Sequence, residues 1–202
     1  FETLINDGSI HDASSFGEHC FDWLIYGMAK SDGAGMALSH RATIQNNLEE
    51  LIYLDEQVGA LKTAREIREA SVKTGLAMLS SLQDIFKLNA LVPYAEAIKK
   101  QACSGHQAVV FGIGSAALDI NEYDSVLAFL QSSFSNLIGV GSRIIPLGQV
   151  ESQNLIRQAA PMFIEAAEIA MATNRENLSS STFGLDLAAM EHERLYSRLC
   201  MS

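Results

Sequence analysis

Two histidine-bearing dipeptides and one glycine-rich run hold the residue types from which a chemical site could be built. His19-Cys20 pairs an imidazole with a thiol, a combination that binds soft divalent metals. Adjacent residues on a helix point about 100° apart, so the two seldom serve one ion, and a structural histidine beside a core cysteine is the simpler reading. His192-Glu193 is the first half of a zinc-protease motif, but His-Glu-x-x-His needs a second histidine where Tyr196 stands, which excludes that chemistry. Gly112-x-Gly114-x-x-Ala117 follows Val109-Val110-Phe111 and matches the glycine spacing that lets a backbone approach a pyrophosphate. That reading needs an acid about 20 residues on, and 132–139 has none, so the glycines are expected to serve close helix packing instead. His106 heads the same segment as a ligand, a switch or a satisfied histidine at a helix start, the last being the expected role. A nickel carrier built on His19, Cys20, His106 and Cys200 is the alternative functional reading, but these residues share no recognised ligand spacing. Neither a metal nor a cofactor is expected, and no nucleophile elbow, phosphate loop or paired-carboxylate arrangement marks an enzyme.

Composition narrows the classes further. The 202 residues are 48% apolar, enough to bury a core as one domain over 1–202. Fourteen basic against 24 acidic residues leave a net charge of −10, which argues against a nucleic-acid or anionic-membrane surface. Three cysteines, at 20, 103 and 200, make neither a zinc spacing nor an even disulfide framework, which fits a reducing cytoplasm. Phe1 to Gly8 has none of the pattern of a signal peptide.

The elements that must position these residues read as helices throughout, three prolines being few for 202 residues. The expectation is an all-α, multi-helix bundle around a buried central helix. That central helix is expected to start at Asn121 or Glu122 and to contain 125–142, a run without formal charge, in which Ser135, Gly139 and Ser142 admit close neighbours. Pro146 and Gly148 end it, and Arg143 in its last turn is expected to be anchored by carbonyls or a carboxylate. Phe1 to Asn6 reads as a short helix closed by Asp7-Gly8. Asp12 should cap a helix with Phe16, Cys20, Trp23, Leu24 and Met28 on one stripe. Ser31-Asp32-Gly33 should break it before a helix over 36–45, and Asn46-Asn47 marks the next break. A helix from Leu61 to about Leu82 turns Leu61, Ala64, Ile67, Ser71, Gly75, Met78 and Leu82 inward, with i,i+4 pairs Lys62–Glu66, Arg65–Glu69 and Glu69–Lys73 outside. Further helices are expected over 92–103, from His106, and over 151–172 with a split at Pro161. The serine-rich 174–182 reads as a linker before a last helix carrying Leu185, Ala188, His192, Leu195 and Leu199 on one side.

Three ordered blocks resemble the UreF-type urease accessory proteins, and the resemblance spans nearly the whole chain. The first is Ser135-Asn136-Leu137 with Arg143-Ile144-Ile145-Pro146-Leu147-Gly148-Gln149 and Gln153. The second is Lys62-Thr63-Ala64-Arg65-Glu66-Ile67-Arg68-Glu69-Ala70-Ser71, and the third is His192-Glu193-Arg194-Leu195-Tyr196-Ser197-Arg198-Leu199. His106 lies in a Gly-His-x-Ala-Val-Val-Phe-Gly run that is similar to the family's as well. The resemblance implies an all-α, homodimeric protein without enzyme activity. It implies a bridge between a UreD/UreH-type scaffold and a UreG-type GTPase as nickel is inserted into apo-urease, with some influence on the GTPase. It implies that 183–202 forms a docking helix and tail, with Arg194, Tyr196, Ser197, Arg198 and Leu199 touching the partner. It also implies a further N-terminal segment ahead of Phe1.

Overall fold

The computed structural model describes residues 1–195, and every regular element among them is helical. A short α1 (Glu2–Asn6) precedes α2 (Ala13–Asp22), which Asp12 caps. The Asp12 carboxylate accepts from the Ser15 amide at 2.8 Å, and the Ser15 hydroxyl accepts from the Asp12 amide at 3.2 Å. Two orphan donors of the helix start are thereby satisfied.

Ser31-Asp32-Gly33 does not break the chain as expected. α2 continues through a π-helical segment, Trp23–Gly33, straight into α3 (Ala34–Ile44). Each residue of that triplet has a tertiary or back-bonding role that replaces the turn. The Ser31 hydroxyl donates to the Gly27 carbonyl at 2.6 Å, and Asp32 is held by Lys62 at 2.6 Å. Gly33 runs against Ala170 and Leu130, where a side chain would crowd both.

The enclosed element is α3, not the expected 125–142. It buries Ala34, Gly35, Met36, Ala37, Ser39, His40 and Ala42 and crosses α7 (Gln107–Ala117), itself buried from Ala108 to Val110 and from Gly112 to Ser115. The crossing is close because a Cβ on Gly112 would stand 2.5 Å from the Met36 carbonyl oxygen. That is the packing role expected of the glycines in this run.

α8 (Glu122–Ile144), capped by Asn121, is packed on one side only. Val126, Phe129, Leu130, Phe134, Ile138 and Gly141 face the core, while Ala128, Gln131, Ser132, Asn136, Gly139 and Arg143 are exposed. Up to Arg143 the exposed line is uncharged but small or polar, and water solvates it readily. Absence of charge therefore did not mean burial. Gly139, expected at a close crossing, has open space around it, and Gly141 is the glycine that receives a neighbour, the Phe16 ring.

α4 (Leu48–Ala60) runs past the Leu54 at which the sequence pattern suggests an end, and α5 (Arg65–Phe86) starts later than the expected Leu61. Leu61 to Ala64 form the turn between them, and Ile67, expected inward, is 42% exposed. A 3-10 turn (Asn89–Leu91) leads into α6 (Val92–Lys99). α9 (Gln149–Gln158) and α10 (Ala160–Ala172) divide at Ala159, with Pro161 in the first turn of the second, where its missing N–H is harmless.

The serine run is strapped down rather than free. The Ser179 amide donates to the Lys30 carbonyl at 3.1 Å, and the Ser181 amide to the Tyr26 carbonyl at 2.9 Å, both on the π-helical segment. α11 (Phe183–His192) follows, and the Thr3 hydroxyl donates to its Ala188 carbonyl at 2.7 Å, tying α1 to α11. Tyr196, Ser197, Arg198, Leu199 and Cys200 lie outside the described residues.

Candidate functional site

The second and third signature blocks, far apart in sequence, meet where α1, the start of α5 and the end of α11 converge. Lys62 sits in the turn ahead of α5, and its buried ammonium donates to both Asp32 carboxylate oxygens at 2.6 Å. The expected Lys62–Glu66 pair therefore does not form. Lys62 precedes the helix, and its charge is already committed to Asp32. Arg68 braces the same turn by donating to the Lys62 carbonyl at 2.7 Å.

Arg65 pairs with Glu193 at 3.1 Å and only distantly with Glu69, at 3.9 Å. The Glu193 carboxylate raises the guanidinium's pKa above its ordinary value. The more enclosed contact is His192. Its Nδ1 lies 2.6 Å from Glu66 and its Nε2 lies 2.8 Å from Glu2, with all three side chains less than one-fifth exposed. His192 thus clasps three helices together, its two ring nitrogens facing opposite ways towards carboxylates of different helices.

His106 is the N-cap residue of α7, and its ring Nδ1 lies 3.1 Å from the Ser71 hydroxyl of α5. Burial holds the imidazole's pKa below its ordinary value. Under it lies Asp55, which the sequence reading missed. This carboxylate is 1% exposed and accepts from the Tyr94 hydroxyl at 2.6 Å, the Ser104 amide at 2.6 Å and the His106 amide at 2.7 Å. It serves as a remote cap for α7, satisfying donors that would otherwise be costly to bury. One signal was available: Asp55 falls on the apolar stripe Leu51, Leu54, Val58 of α4, where an acid needs a partner.

The first signature block lies apart from this cluster. Asn136 and Arg143 on α8, and Gln149 and Gln153 on α9, are all exposed and make no hydrogen bond or ion pair with it. Arg143 is not anchored as expected, for it forms no hydrogen bond or ion pair among the described residues. The helix end leaves its side chain exposed, and a guanidinium there needs no protein partner. Among the described residues the candidate nickel ligands, His19, Cys20 and His106, do not gather either. Cys20 is fully buried, its thiol pKa pushed far up by burial, while His106 is engaged with Ser71. Among the described residues no three His, Cys, Asp or Glu side chains converge as a metal set, and no helix is long and apolar enough to cross a membrane.

Comparison with known proteins matches the UreF family profile to residues 10–160. A "Urease accessory protein UreF" of Nostoc sp. is 32% identical over 201 residues, covering 100% of this chain and 86% of the relative. Proteins of the same name from Haemophilus influenzae and Actinobacillus pleuropneumoniae are 29% and 27% identical, covering 100% of this chain and 86% and 88% of theirs.

Proposed function

Because the chain belongs to the UreF family of urease accessory proteins, we propose that it bridges a UreD/UreH-type scaffold and a UreG-type GTPase during urease maturation. It has no catalytic chemistry of its own in this reading. It modulates the GTPase and promotes nickel insertion into apo-urease, as a homodimer in the cytoplasm. Nickel is the cargo of the assembly, not a ligand stored on this chain. The scaffold docks on the C-terminal element 183–202 through Arg194, Tyr196, Ser197, Arg198 and Leu199.

The observation that carries this reading is the junction of the second and third signature blocks. Arg65–Glu193 and His192–Glu66 hold the end of α11 against the start of α5, while the strapped serines hold its beginning. A docking segment beyond Leu195 is then offered from a fixed base, and a rigid base lowers the ordering cost of binding. Arginine and tyrosine are favoured anchors of such contacts, each worth about 2 kcal/mol or more when central and desolvated.

The test is deletion of 195–202 in a urease-expressing strain, with capture of the UreD/UreH-type scaffold and urease activation as readouts. The truncated protein should keep its helical circular-dichroism signal, lose scaffold capture and fail to support activation. Unfolding of the truncated chain, or capture equal to that of the full chain, would defeat the docking assignment.

A further inference from the structure

A cavity of about 130 Å³ opens where the π-helical segment, the turn before α5, the serine strap and α11 meet. Its size suits one side-chain head group rather than a drug-sized ligand. The charged side chains on its wall are Asp32, Lys62 and Asp186. Lys62 and Asp32 compensate each other at 2.6 Å. Asp186 remains, and its carboxylate forms no hydrogen bond or ion pair among the described residues. Among the described side chains the wall thus carries two carboxylates against one ammonium, and that ammonium is bonded to Asp32. Phe1 and Trp23 contribute aromatic surface, which attracts cations through the negative face of the ring.

We propose that this cavity is a binding site for a single organic cation, a guanidinium or alkylammonium head group, seated against Asp186. A metal ion would find one carboxylate and no converging set, whereas an organic cation uses a carboxylate and an aromatic wall together. Burial raises the Asp186 pKa above its ordinary value despite the opposing effect of Lys62, and an arriving cation would oppose that shift. The site stands independently of the urease-maturation reading, since it rests on the cavity, the Asp186 carboxylate and the aromatic wall alone.

Trp23 is the only tryptophan in the chain, so its fluorescence reports on the cavity directly. The full chain is titrated with ethylguanidinium and butylammonium chloride at constant ionic strength, with ethylurea and butanol as neutral counterparts. The cations should give a saturable change and the neutral compounds none. Asp186→Asn should weaken binding by about tenfold or more, as expected for loss of a charge-assisted bond. Ala189→Leu, which fills the cavity without altering charge, should abolish the response and carries the test if Asp186→Asn alters the circular-dichroism signal. Acetyl-Gly-Arg-Gly-amide against its citrulline analogue separates the sources. Tighter binding of the arginine peptide than of ethylguanidinium assigns the site to a partner's side chain, and the reverse order assigns it to a free small amine. No saturable response, equal binding of the neutral compounds, or affinity unchanged in the folded variants would overturn the proposal.

Discussion

Gly75→Ala should destabilise the protein, although the same exchange in an unobstructed helix stabilises it. Gly75 lies within α5, at its crossing with the start of α7. A Cβ there would collide with the Gly105 carbonyl oxygen and stand 2.8 Å from the Gln107 nitrogen and 2.9 Å from the His106 carbonyl carbon. All three neighbours are backbone, so no side-chain rotation relieves the contact. Alanine gains about 1 kcal/mol of helix propensity over glycine. Overpacking costs about 1–3 kcal/mol, and shifting the start of α7 also loosens the amides of Gly105 and His106 from Asp55, at about 1–3 kcal/mol for each donor left unsatisfied. The steric and capping losses win, for a net loss of about 2–4 kcal/mol. Gly139→Ala on α8 is the matched control, because no atom lies within 4 Å of its Cβ position. It should gain up to about 1 kcal/mol. Urea unfolding followed by far-ultraviolet circular dichroism measures both. A Gly75→Ala midpoint at or above that of the parent protein, or the same sign for both variants, would refute the close-crossing argument.

The remaining predictions concern an exposed arginine and a buried histidine. Arg143→Ala should change stability by less than about 0.5 kcal/mol, because the side chain is exposed and bonded to nothing among the described residues. A loss of 2 kcal/mol or so in thermal unfolding would point to a hidden structural partner. His106 has a folded pKa below its ordinary 6.5 because burial disfavours the imidazolium. Its contribution to stability is therefore full above pH 6.5 and is lost as the pH falls through the folded value. Urea midpoints measured from pH 7.5 downward should fall less steeply in His106→Gln than in the parent, and parallel profiles would remove His106 as the cause.

What the sequence by itself determined is local: the helical elements, the Asp12 cap, the split near Pro161, and the ordered blocks that carry the family likeness. These depend on residue type and near-neighbour spacing, which a chain displays without being folded. Only the tertiary structure decided which elements are enclosed. A charge-free run at 125–142 looked like a core helix, yet its Gln, Ser and Asn side chains are solvated, and α3 took the enclosed place because Gly112 lets α7 press against its backbone. Nor did spacing reveal the partners of the charged residues. Lys62 chose Asp32 over Glu66, Arg65 chose Glu193, and His192 joined Glu66 to Glu2, because each pairing spans elements whose meeting is set by packing elsewhere. Asp55 states the reason most plainly. An acid on an apolar stripe signals that it has a partner, but the partners are amides of Ser104, Gly105 and His106, about 50 residues away, and only the folded chain brings them within reach.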